Sequence, residues 1–414
     1  MNEAKQKFRL TSLERAWILY DVGNSAFVLL VATLIPIFFN ALAEGGGLSS
    51  VEYLAYWGYA ASAVTVITAV LSPIFGTLAD TRNFKKPIFT FCVAVGVIGC
   101  CAMGMASTWL PFLLIFIFAK VGFSGSLVFY DSMLSDVTVP DRMDEVSSKG
   151  YAWGYIGSCV PFVVCLALVL GAGSIGISQM TALNLALFIT AAWWLVTTLP
   201  LLRQYKQVHF VEVQEHAIRQ SFARIGHTLR HLKEDKQVFW FLLAFFCYID
   251  GVYTIIDMAT AYGTALGLDT TGLLLALLVT QIVAFPSALV FGRLSGQYPS
   301  GTLIPVCIAA YAGIALFAFF LKHQWQFWVL AVVVGMFQGG IQALSRSHFA
   351  KIIPPEKSGE YFGLFDICGK GASFLGTMIV SVGSQLTGSA NVGVGSLIVL
   401  FIVGFVLFRV SDRK

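Results

Sequence analysis

The sequence predicts an all-α integral membrane protein with twelve transmembrane helices in two pseudo-symmetric bundles of six. Three observations support this fold class: high hydrophobicity along the chain, basic residues confined to one side of the predicted spans, and short motifs that recur in both halves. Of the 414 residues, 57% are hydrophobic and 12% are charged, with a mean hydropathy of +0.79. Soluble domains carry about 25% charged residues, so most of this chain is predicted to face lipid.

Twelve apolar segments are long enough to cross a bilayer as helices. A span needs about 20 mostly apolar residues, and a helix satisfies its own backbone polar groups in lipid. Capping boxes are predicted before two of the segments, at Thr11 with Glu14 and at Ser49 with Glu52. The segments are 16–40, 53–79, 87–107, 110–137, 150–172, 180–202, 238–266, 271–294, 302–321, 325–353, 360–387 and 392–409.

The loops between these segments carry very unequal numbers of basic residues. With the N-terminus in the cytosol, 22 Lys and Arg residues fall on the inner side, whereas Lys322 alone falls in an outer loop. This bias predicts that both termini are cytoplasmic. The net charge of +4 then anchors the inner face and does not indicate nucleic-acid binding. The sequence has no N-x-[ST] site, which favours a bacterial inner membrane, and Trp17 and Trp240 are expected at the inner lipid interface.

The longest polar stretch, about 203–236, divides the spans into two sets of six. The predicted organisation is an N-terminal six-helix bundle (1–205), a cytosolic amphipathic linker (206–236) and a C-terminal six-helix bundle (237–414). Apolar residues in the linker recur at the spacing of one helical face and predict a helix on the anionic lipid surface. A linker that only joins the halves is the alternative. The apolar residues are Ile218, Phe222, Ile225, Leu229 and Leu232.

Short motifs recur in the two halves at nearly the same offset. "FGTLAD" at 75–80 matches "FGRLSG" at 291–296, an offset of 216, and "VPDR" at 139–142 matches "PPEK" at 354–357, an offset of 215. Both matches fall at corresponding ends of predicted spans. An internal duplication of this kind predicts a site near mid-membrane between the halves, with access that alternates as the halves rock.

The segment "GTLADTRNFKK", 76–86, resembles the signature loop of the major facilitator superfamily. Gly76, Asp80 and the two lysines that end the segment match that motif, whereas Asn83 stands where glycine is usual and tolerates the left-handed conformation. The resemblance implies a cytosolic latch. Asp80 would meet the positive N-terminal end of the eleventh span, and Arg82 would pair with an acid such as Asp136. A surface ion pair without a gating role is the alternative.

Three longer stretches resemble one branch of this superfamily: "WILYDVGNSAF" (17–27), "YIDGVYTIIDMATAYG" (248–263) and "GGIQALSRSHFAKIIPPEKSGEYFGLFDICGK" (339–370). The branch comprises bacterial "unknown major facilitator" proteins and fungal autophagy-related vacuolar amino-acid effluxers. The resemblance implies a secondary transporter that works as a monomer, and amino-acid efflux follows from the fungal members alone. Lys120 and Asp366 depart from the usual pattern of the branch and indicate a substrate peculiar to this protein.

Eight ionisable residues make up the set that is predicted to lie inside the membrane. If all were unpaired, their burial would cost about 20–28 kcal/mol, so they must pair, face water or be neutralised. Five are acids and three are bases, so at least two carboxylates lack a cation. The eight are Asp21, Lys120, Asp131, Asp250, Asp257, Arg346, Asp366 and Lys370.

Asp250 and Asp257 lie seven residues apart and are predicted to share a helix face with Thr254. A carboxylate without a cation can take up a proton when it is shielded from water and release it when it is wetted. We therefore predict Asp250, Asp257 and Asp366 as proton-coupling residues. Structural pairing with Lys120, Arg346 or Lys370 is the alternative, and for Asp366 the partner would be Lys370 one turn away.

Two further sets of residues are predicted to bind substrate or to gate access. Lys120 lies near mid-bilayer and suits an anionic group, while Gln338 and Gln342 share a face that could bond a polar solute or a neighbouring helix. Arg346 and Asp131 suit a gate as well as a binding site. The substrate-binding candidates are Lys120, Thr254, Gln338, Gln342, Arg346 and Lys370. The gating candidates are Asp21, Asn24, Asp80, Arg82, Asp131 and Asp136.

These features predict a secondary active transporter of a small polar or zwitterionic metabolite, with an amino acid as one candidate and efflux as one direction, driven by a proton gradient without a cofactor or metal. An organic anion or phosphorylated metabolite is the alternative cargo, because of Lys120 and Arg346, and a receptor with a transporter fold is a more distant one. The sequence lacks the motifs of an enzyme or an ATP-driven pump, such as H-E-x-x-H, G-x-S-x-G and G-x-x-x-x-G-K-[ST].

Overall fold

The computed structural model describes residues 9–212 and 235–412. Within these ranges it describes all side chains except those of residues 50, 51, 54, 260, 261, 265, 270, 271, 274 and 370–374. The amphipathic helix predicted for the linker falls at 213–234 and so lies outside the described residues, and the same is true of the Lys370 side chain. The described chain is almost wholly helical, which confirms the predicted fold class.

The first eight helices form the N-terminal bundle. The first predicted span is divided into two helices, because the backbone of Thr33 leaves the helical conformation and its Oγ1 atom donates a hydrogen bond to the Leu29 carbonyl (2.6 Å). The helices are α1 (Ser12–Ala32), α2 (Leu34–Gly45), α3 (Ser50–Ala79), α4 (Lys85–Met103), α5 (Trp109–Ser132), α6 (Leu134–Val137), α7 (Pro140–Leu170) and α8 (Gln179–Gln204).

The remaining helices form the C-terminal bundle. A short 3₁₀ helix (Pro355–Lys357) precedes α13, and the last predicted span is again divided in two. The α-helices are α9 (Lys236–Ala265), α10 (Thr270–Leu294), α11 (Ser300–Ala318), α12 (Gln324–Ile352), α13 (Ser358–Thr387), α14 (Ala390–Gly395) and α15 (Ile398–Ser411).

Eleven helical stretches among the described residues are long and apolar enough to cross a membrane. Helix α13, with 30 residues, occupies the remaining predicted segment. Both predicted capping boxes are present, at Thr11 and at Ser49. A third, at His323 with Gln326, begins α12 and was not predicted, because histidine is not a usual N-cap residue.

The two bundles meet along α3 and α13, along α7 with α10 and α12, and along α5 and α13. We call the side on which α1 begins and α15 ends the terminal side, and the opposite side the far side. On the terminal side the backbones of α3 and α13 touch. A Cβ atom on Gly359 would lie 2.5 Å from the Gly76 carbonyl oxygen, and a Cβ atom on Gly76 would collide with Gly359.

Glycines on α7 allow a similarly close approach to α1 within the N-terminal bundle. A Cβ atom on Gly154 would lie 2.8 Å from Ser25 Oγ, and one on Gly157 would lie 2.6 Å from Val22 Cγ1. Small residues permit this kind of contact in lipid, where packing rather than water drives helix association.

We predict that Gly157→Val destabilises the bundle, because the new side chain overlaps Val22. The free energy of unfolding in detergent should fall by about 1–3 kcal/mol, the usual cost of overpacking. The matched control is Gly313→Val in α11, where nothing lies within 4 Å of the added Cβ atom. Equal losses in the two variants would mean that the helix propensity of valine, and not the contact with α1, causes the effect.

Candidate functional site

Arg346 of α12 joins the two bundles on the terminal side. Its Nη1 atom lies 3.0 Å from Asp131 Oδ1, and its Nη2 atom lies 3.4 Å from Asp21 Oδ2. It also donates to the hydroxyl (2.9 Å) and the carbonyl oxygen (3.0 Å) of Ser147. The residue is 2% exposed. A cation of the C-terminal bundle is thus held by α1, α5 and α7 of the N-terminal bundle.

Three aromatic rings surround the same guanidinium. The centroids of Tyr151, Trp17 and Tyr130 lie 4.3, 4.6 and 5.4 Å from its central carbon, within the range of cation–π attraction. The Tyr130 hydroxyl donates to Asp21 Oδ2 (2.8 Å), and the Asn24 amide lies one turn along α1 from that carboxylate (3.4 Å). We call Asp21, Asp131, Arg346, Ser147 and these three aromatic residues the arginine cluster.

The position of Trp17 corrects the prediction that it marks the inner lipid interface. Trp17 is fully buried, stacks on Tyr130 with a centroid distance of 4.3 Å and donates from Nε1 to the Tyr130 carbonyl (2.9 Å). Its ring contacts Tyr130 and Arg346, and hydropathy does not distinguish such a buried face of α1 from a lipid face. The glycine at 150 leaves room for the cluster, since a Cβ atom there would lie 2.6 Å from Asp21 Oδ2.

A second contact between the bundles lies at the N-terminus of α13. Asp80, directly after α3, accepts hydrogen bonds from the backbone amides of Gly359 (2.7 Å) and Glu360 (2.8 Å). The resemblance of residues 76–86 to the signature loop implied that Asp80 would meet this helix end. A carboxylate there interacts favourably with the helix dipole. Lys85 donates to Ser358 Oγ (2.8 Å) and lies 3.7 Å from Asp80. We call Asp80, Lys85 and residues 358–360 the latch.

Asn83 and Arg82 lie in the loop between α3 and α4, and the sequence predicted a conformation for the first and a partner for the second. Asn83 has φ +66°, which confirms the left-handed conformation expected of a residue that replaces glycine. The expected pair of Arg82 with Asp136 is wrong. Arg82 lies at the surface, 3.4 Å from Glu212 and over the ring of Phe210. Asp136 is buried and lies 3.8 Å from Lys85, because α4 begins at Lys85 and directs that side chain inward.

Further bonds join α7 to α12 on the terminal side. Asp144 accepts from Lys351 Nζ and from Ser347 Oγ, both at 2.6 Å, and Ser147 Oγ donates to the Ala343 carbonyl (2.8 Å). Nearer the middle of the bundle, the Tyr155 hydroxyl donates to Gln342 Oε1 (2.5 Å). This face of α12, from Gln342 to Lys351, is therefore in contact with the N-terminal bundle.

Lys120 and Asp257 carry opposite charges on helices that belong to different bundles. Lys120 is on α5, with Nζ 4.7 Å from the centroid of Phe123 and 5.9 Å from that of Phe27. Asp257 is on α9, is exposed, and interacts electrostatically with Lys120. Asp366 of α13 accepts a hydrogen bond from Ser72 Oγ of α3 (2.8 Å). The site therefore places a cation of one bundle opposite a carboxylate of the other.

Asp250 has a different environment from Asp257, although both are on α9. Asp250 is fully buried, and its carboxylate accepts from the Gly376 amide (2.8 and 2.9 Å) and from Thr254 Oγ1 (3.3 Å). A Cβ atom on Gly376 would lie 2.7 Å from Asp250 Oδ1. The two acids therefore differ in exposure, because α13 covers the Asp250 end of the face.

A cavity of about 50 Å³ lies within the C-terminal bundle between α9, α10 and α12. Its walls are mainly aliphatic and aromatic, with Thr254, Gln281 and Gln338 among the polar residues. Gln338 is 5% exposed, and its Oε1 atom has no hydrogen-bond partner among the described residues. Thr254 connects this cavity to Asp250.

Most of the predicted residues thus fall into four groups. The gating candidates Asp21, Asn24 and Asp131 lie at the arginine cluster and Asp80 in the latch, with Arg346 beside the first three. Lys120 faces Asp257, and Gln338 and Thr254 line the cavity. Sequence reasoning missed Ser147, Tyr155 and the role of Tyr130, because hydroxyl groups in apolar helices carry no charge signal; the adjacency of Tyr130 to Asp131 was the one available clue.

Solved structures share the fold of this chain. The chain resembles the human organic anion transporter MFSD10 (TETRAN) with a TM-score of 0.74 and 13% identity, over 96% of this chain and 98% of that one. It resembles the major facilitator superfamily transporter FucP with a TM-score of 0.72 and 16% identity, over 97% and 98% of the two chains. The fold is that of a major facilitator superfamily transporter.

Sequence comparison narrows this class to a family. The family described as "Vacuole effluxer Atg22 like" matches residues 12–138 and 135–414. The chain is 41% identical to the uncharacterized MFS-type transporter YxiO of Bacillus subtilis, over 96% of this chain and 94% of that protein. It is 27% identical to autophagy-related protein 22 of Saccharomyces cerevisiae, over 59% and 53% of the two. The chain belongs to the family of vacuole effluxer Atg22-like proteins.

These comparisons confirm the predicted resemblance and the transporter class. The relatives and structural neighbours are transporters and not enzymes, so the chain is a membrane transporter rather than an enzyme. The chain spans about half the length of the fungal relatives that it matches, for example 51% of the Coccidioides immitis protein.

We predict that Arg346→Asp destabilises the protein strongly, because it places a third carboxylate beside Asp21 and Asp131. The cost should be at least about 3–5 kcal/mol, as when one partner of a buried ion pair is removed. Adding Asp131→Arg should recover part of the loss by restoring a cation between carboxylates. The free energy of unfolding in detergent measures both.

The matched control is Lys149→Glu in the Lys149–Glu145 pair within α7, which is partly exposed (2.6 Å). Its cost should be below about 1 kcal/mol. A double variant no more stable than Arg346→Asp alone would contradict an ion-pair role for Arg346.

Proposed function

We propose that this protein is a secondary active transporter of a small zwitterionic metabolite, with an amino acid as the leading candidate. The observation that carries the proposal is the electrostatic interaction between Lys120 of one bundle and Asp257 of the other. Lys120 would bind the carboxylate of the solute and Asp257 its ammonium group. The solute would thus screen both intramembrane charges and bridge the two bundles.

Alternating access is the proposed mechanism. The arginine cluster and the latch hold the bundles together on the terminal side, while Asp257 is exposed between them. The positive-inside bias supports a cytosolic terminal side, and with that orientation this conformation would be an outward-open state. Opening toward the cytosol would require both the cluster and the latch to separate.

Proton coupling is proposed at Asp250. Among the described residues, the groups that donate hydrogen bonds to its carboxylate are neutral, namely the Gly376 amide and the Thr254 hydroxyl. Thr254 also lines the cavity of the C-terminal bundle, whose Gln338 Oε1 atom can accept a hydrogen bond from a bound solute. Solute bound there would alter the shielding of Asp250 and so its proton occupancy. Asp257, and Asp366 beside Ser72, are the alternative proton carriers.

The bacterial relative and the excess of basic residues in the predicted inner loops support a membrane and an orientation for the protein. We propose a monomer in the bacterial inner membrane with both termini cytoplasmic, driven by the proton gradient without a cofactor. Efflux is the direction that the family description supports.

An organic anion or phosphorylated metabolite is the second candidate cargo. Lys120 favours it, since a lone solute anion would satisfy that cation without help from Asp257. A transporter-fold receptor would bind a solute without moving it.

We predict that Asp250→Asn abolishes substrate-dependent proton movement but retains exchange of labelled substrate. Asparagine still accepts from the Gly376 amide but cannot exchange a proton. The measurement is lumenal pH in proteoliposomes during addition of amino acids, organic acids and phosphorylated metabolites. The matched control is Asp269→Asn, because asparagine caps α10 as well as aspartate does. Proton movement that survives in Asp250→Asn would transfer the role to Asp257 or Asp366.

We also predict different changes in selectivity for variants of Lys120 and Asp257. Lys120→Gln should weaken transport of every carboxylate, and Asp257→Asn should weaken transport of ammonium-bearing solutes only. Each loss should raise KM roughly tenfold or more, the effect of one hydrogen bond to a charged group. KM across the same panel measures this. An organic anion would be the favoured cargo if two results were found together. Asp257→Asn would leave transport of organic anions unchanged, and the wild type would not transport zwitterions.

A further inference from the structure

Residues 205–212, which follow α8, lie beside the latch loop on the terminal side. We call them the linker strap. The Val211 amide donates to the Asp80 carbonyl (2.8 Å), and the Arg82 amide donates to the Val211 carbonyl (3.1 Å). This pair of bonds forms an isolated parallel bridge between Thr81 and Val211. The strap is therefore fastened to the same loop that carries Asp80.

The side chains of the strap converge on Asp136 of α6. Tyr205 donates from its hydroxyl to Asp136 Oδ2 (2.5 Å). The His209 amide donates to Oδ1 (2.8 Å), and the His209 Nδ1 atom lies 3.0 Å from the same oxygen. Gln207 Nε2 donates to the Ala79 carbonyl at the end of α3 (3.0 Å). Asp136 is 8% exposed and therefore buried. The strap supplies most of the hydrogen-bond donors to this carboxylate.

Asp136 connects the strap to the contact between the bundles. Lys85, whose side chain is fully buried, lies 3.8 Å from Asp136 and 3.7 Å from Asp80, and it donates to Ser358 Oγ of α13. The Lys85 ammonium group thus interacts with two carboxylates. One is Asp136, which the strap holds, and the other is Asp80 of the latch. Without donors from the strap, Asp136 would attract Lys85 more strongly and draw it away from Ser358.

We propose that the linker strap sets the stability of the closed latch, with Tyr205 and His209 as positioning residues that act through Asp136 and Lys85, and that protonation of His209 tightens the latch. The role of the latch in transport rests on the proposed function, but the coupling of strap and latch does not.

Charged groups from three elements face His209: Asp136 from α6, Lys85 from α4, and Glu356 from the 3₁₀ helix of the C-terminal bundle. The hydrogen bond with Asp136 raises the pKa of His209, and the charge of Glu356 acts in the same direction. Burial alone would raise the pKa of Asp136, but the bonds from His209 and Tyr205 and the charge of Lys85 lower it overall. Asp136 therefore stays ionised while His209 titrates.

The sign of the pH effect follows from the raised pKa of His209. Protonated His209 is stabilised in the closed structure, so its contribution is complete below its ordinary pKa of about 6.5. It is lost as the pH rises through the raised value. Because Glu356 belongs to the other bundle, the protonated ring also attracts the C-terminal bundle directly.

Hydrogen–deuterium exchange of the full-length protein tests the proposal without a substrate. The readout is a peptide that contains Gly359 and Glu360, whose amides donate to Asp80. Exchange in wild type, corrected for the intrinsic rate, should become faster between pH 6 and 8. His209→Ala should raise the exchange about tenfold at pH 6, the effect of one hydrogen bond to a charged group, and should remove the pH dependence.

Two further variants separate positioning from general destabilisation. His209→Gln retains a donor for Asp136 and should recover part of the protection without the pH dependence. Tyr205→Phe should also raise exchange at the latch, whereas the control Tyr53→Phe, which removes a hydroxyl bond to the Pro36 carbonyl on the far side, should not. Latch exchange that is independent of pH in wild type, or equal in Tyr205→Phe and Tyr53→Phe, would overturn the proposal. Absence of transport by the wild-type protein, with these exchange patterns intact, would count against the proposed function instead.

Discussion

A guanidinium within the span of a bilayer is stable only while its charge is neutralised and its donors are used. Arg346 meets this condition with groups that belong to the other bundle, namely the carboxylates of Asp21 and Asp131 and the backbone and hydroxyl oxygens of Ser147. Separation of the bundles on the terminal side would break both ion pairs of Arg346, with Asp21 and with Asp131. The relative position of the two bundles depends on this interaction.

The latch stabilises the same contact between the bundles through a different kind of interaction. Asp80 uses the free amides and the dipole of the α13 N-terminus rather than a side-chain cation. The backbones of α3 and α13 approach closely there because glycines occupy both positions, 76 and 359. The arginine cluster thus provides charge neutralisation within the membrane, and the latch provides backbone recognition at its surface. A transport cycle by alternating access would have to replace both sets of interactions.

The two acids of α9 illustrate how environment divides roles among identical side chains. Asp257 is exposed between the bundles and interacts with Lys120, whereas Asp250 is covered by α13 and held by neutral donors. Under the proposed function, one would contact the solute and the other would exchange a proton. Thr254 lies between them on the helix and connects Asp250 to the cavity of the C-terminal bundle.

The sequence by itself determined the membrane-spanning helices, the capping boxes at Thr11 and Ser49, the left-handed turn at Asn83 and the family. Each of these depends on local composition or on residues a few positions apart, so a linear pattern carries the information. Tertiary structure alone decided the partners of the charges. In the structure Trp17 is buried against Arg346, Arg82 pairs with Glu212, and Asp136 interacts with Lys85 and the linker strap. Contacts of this kind join residues far apart in the chain, and helix rotation, which hydropathy does not specify, selects them.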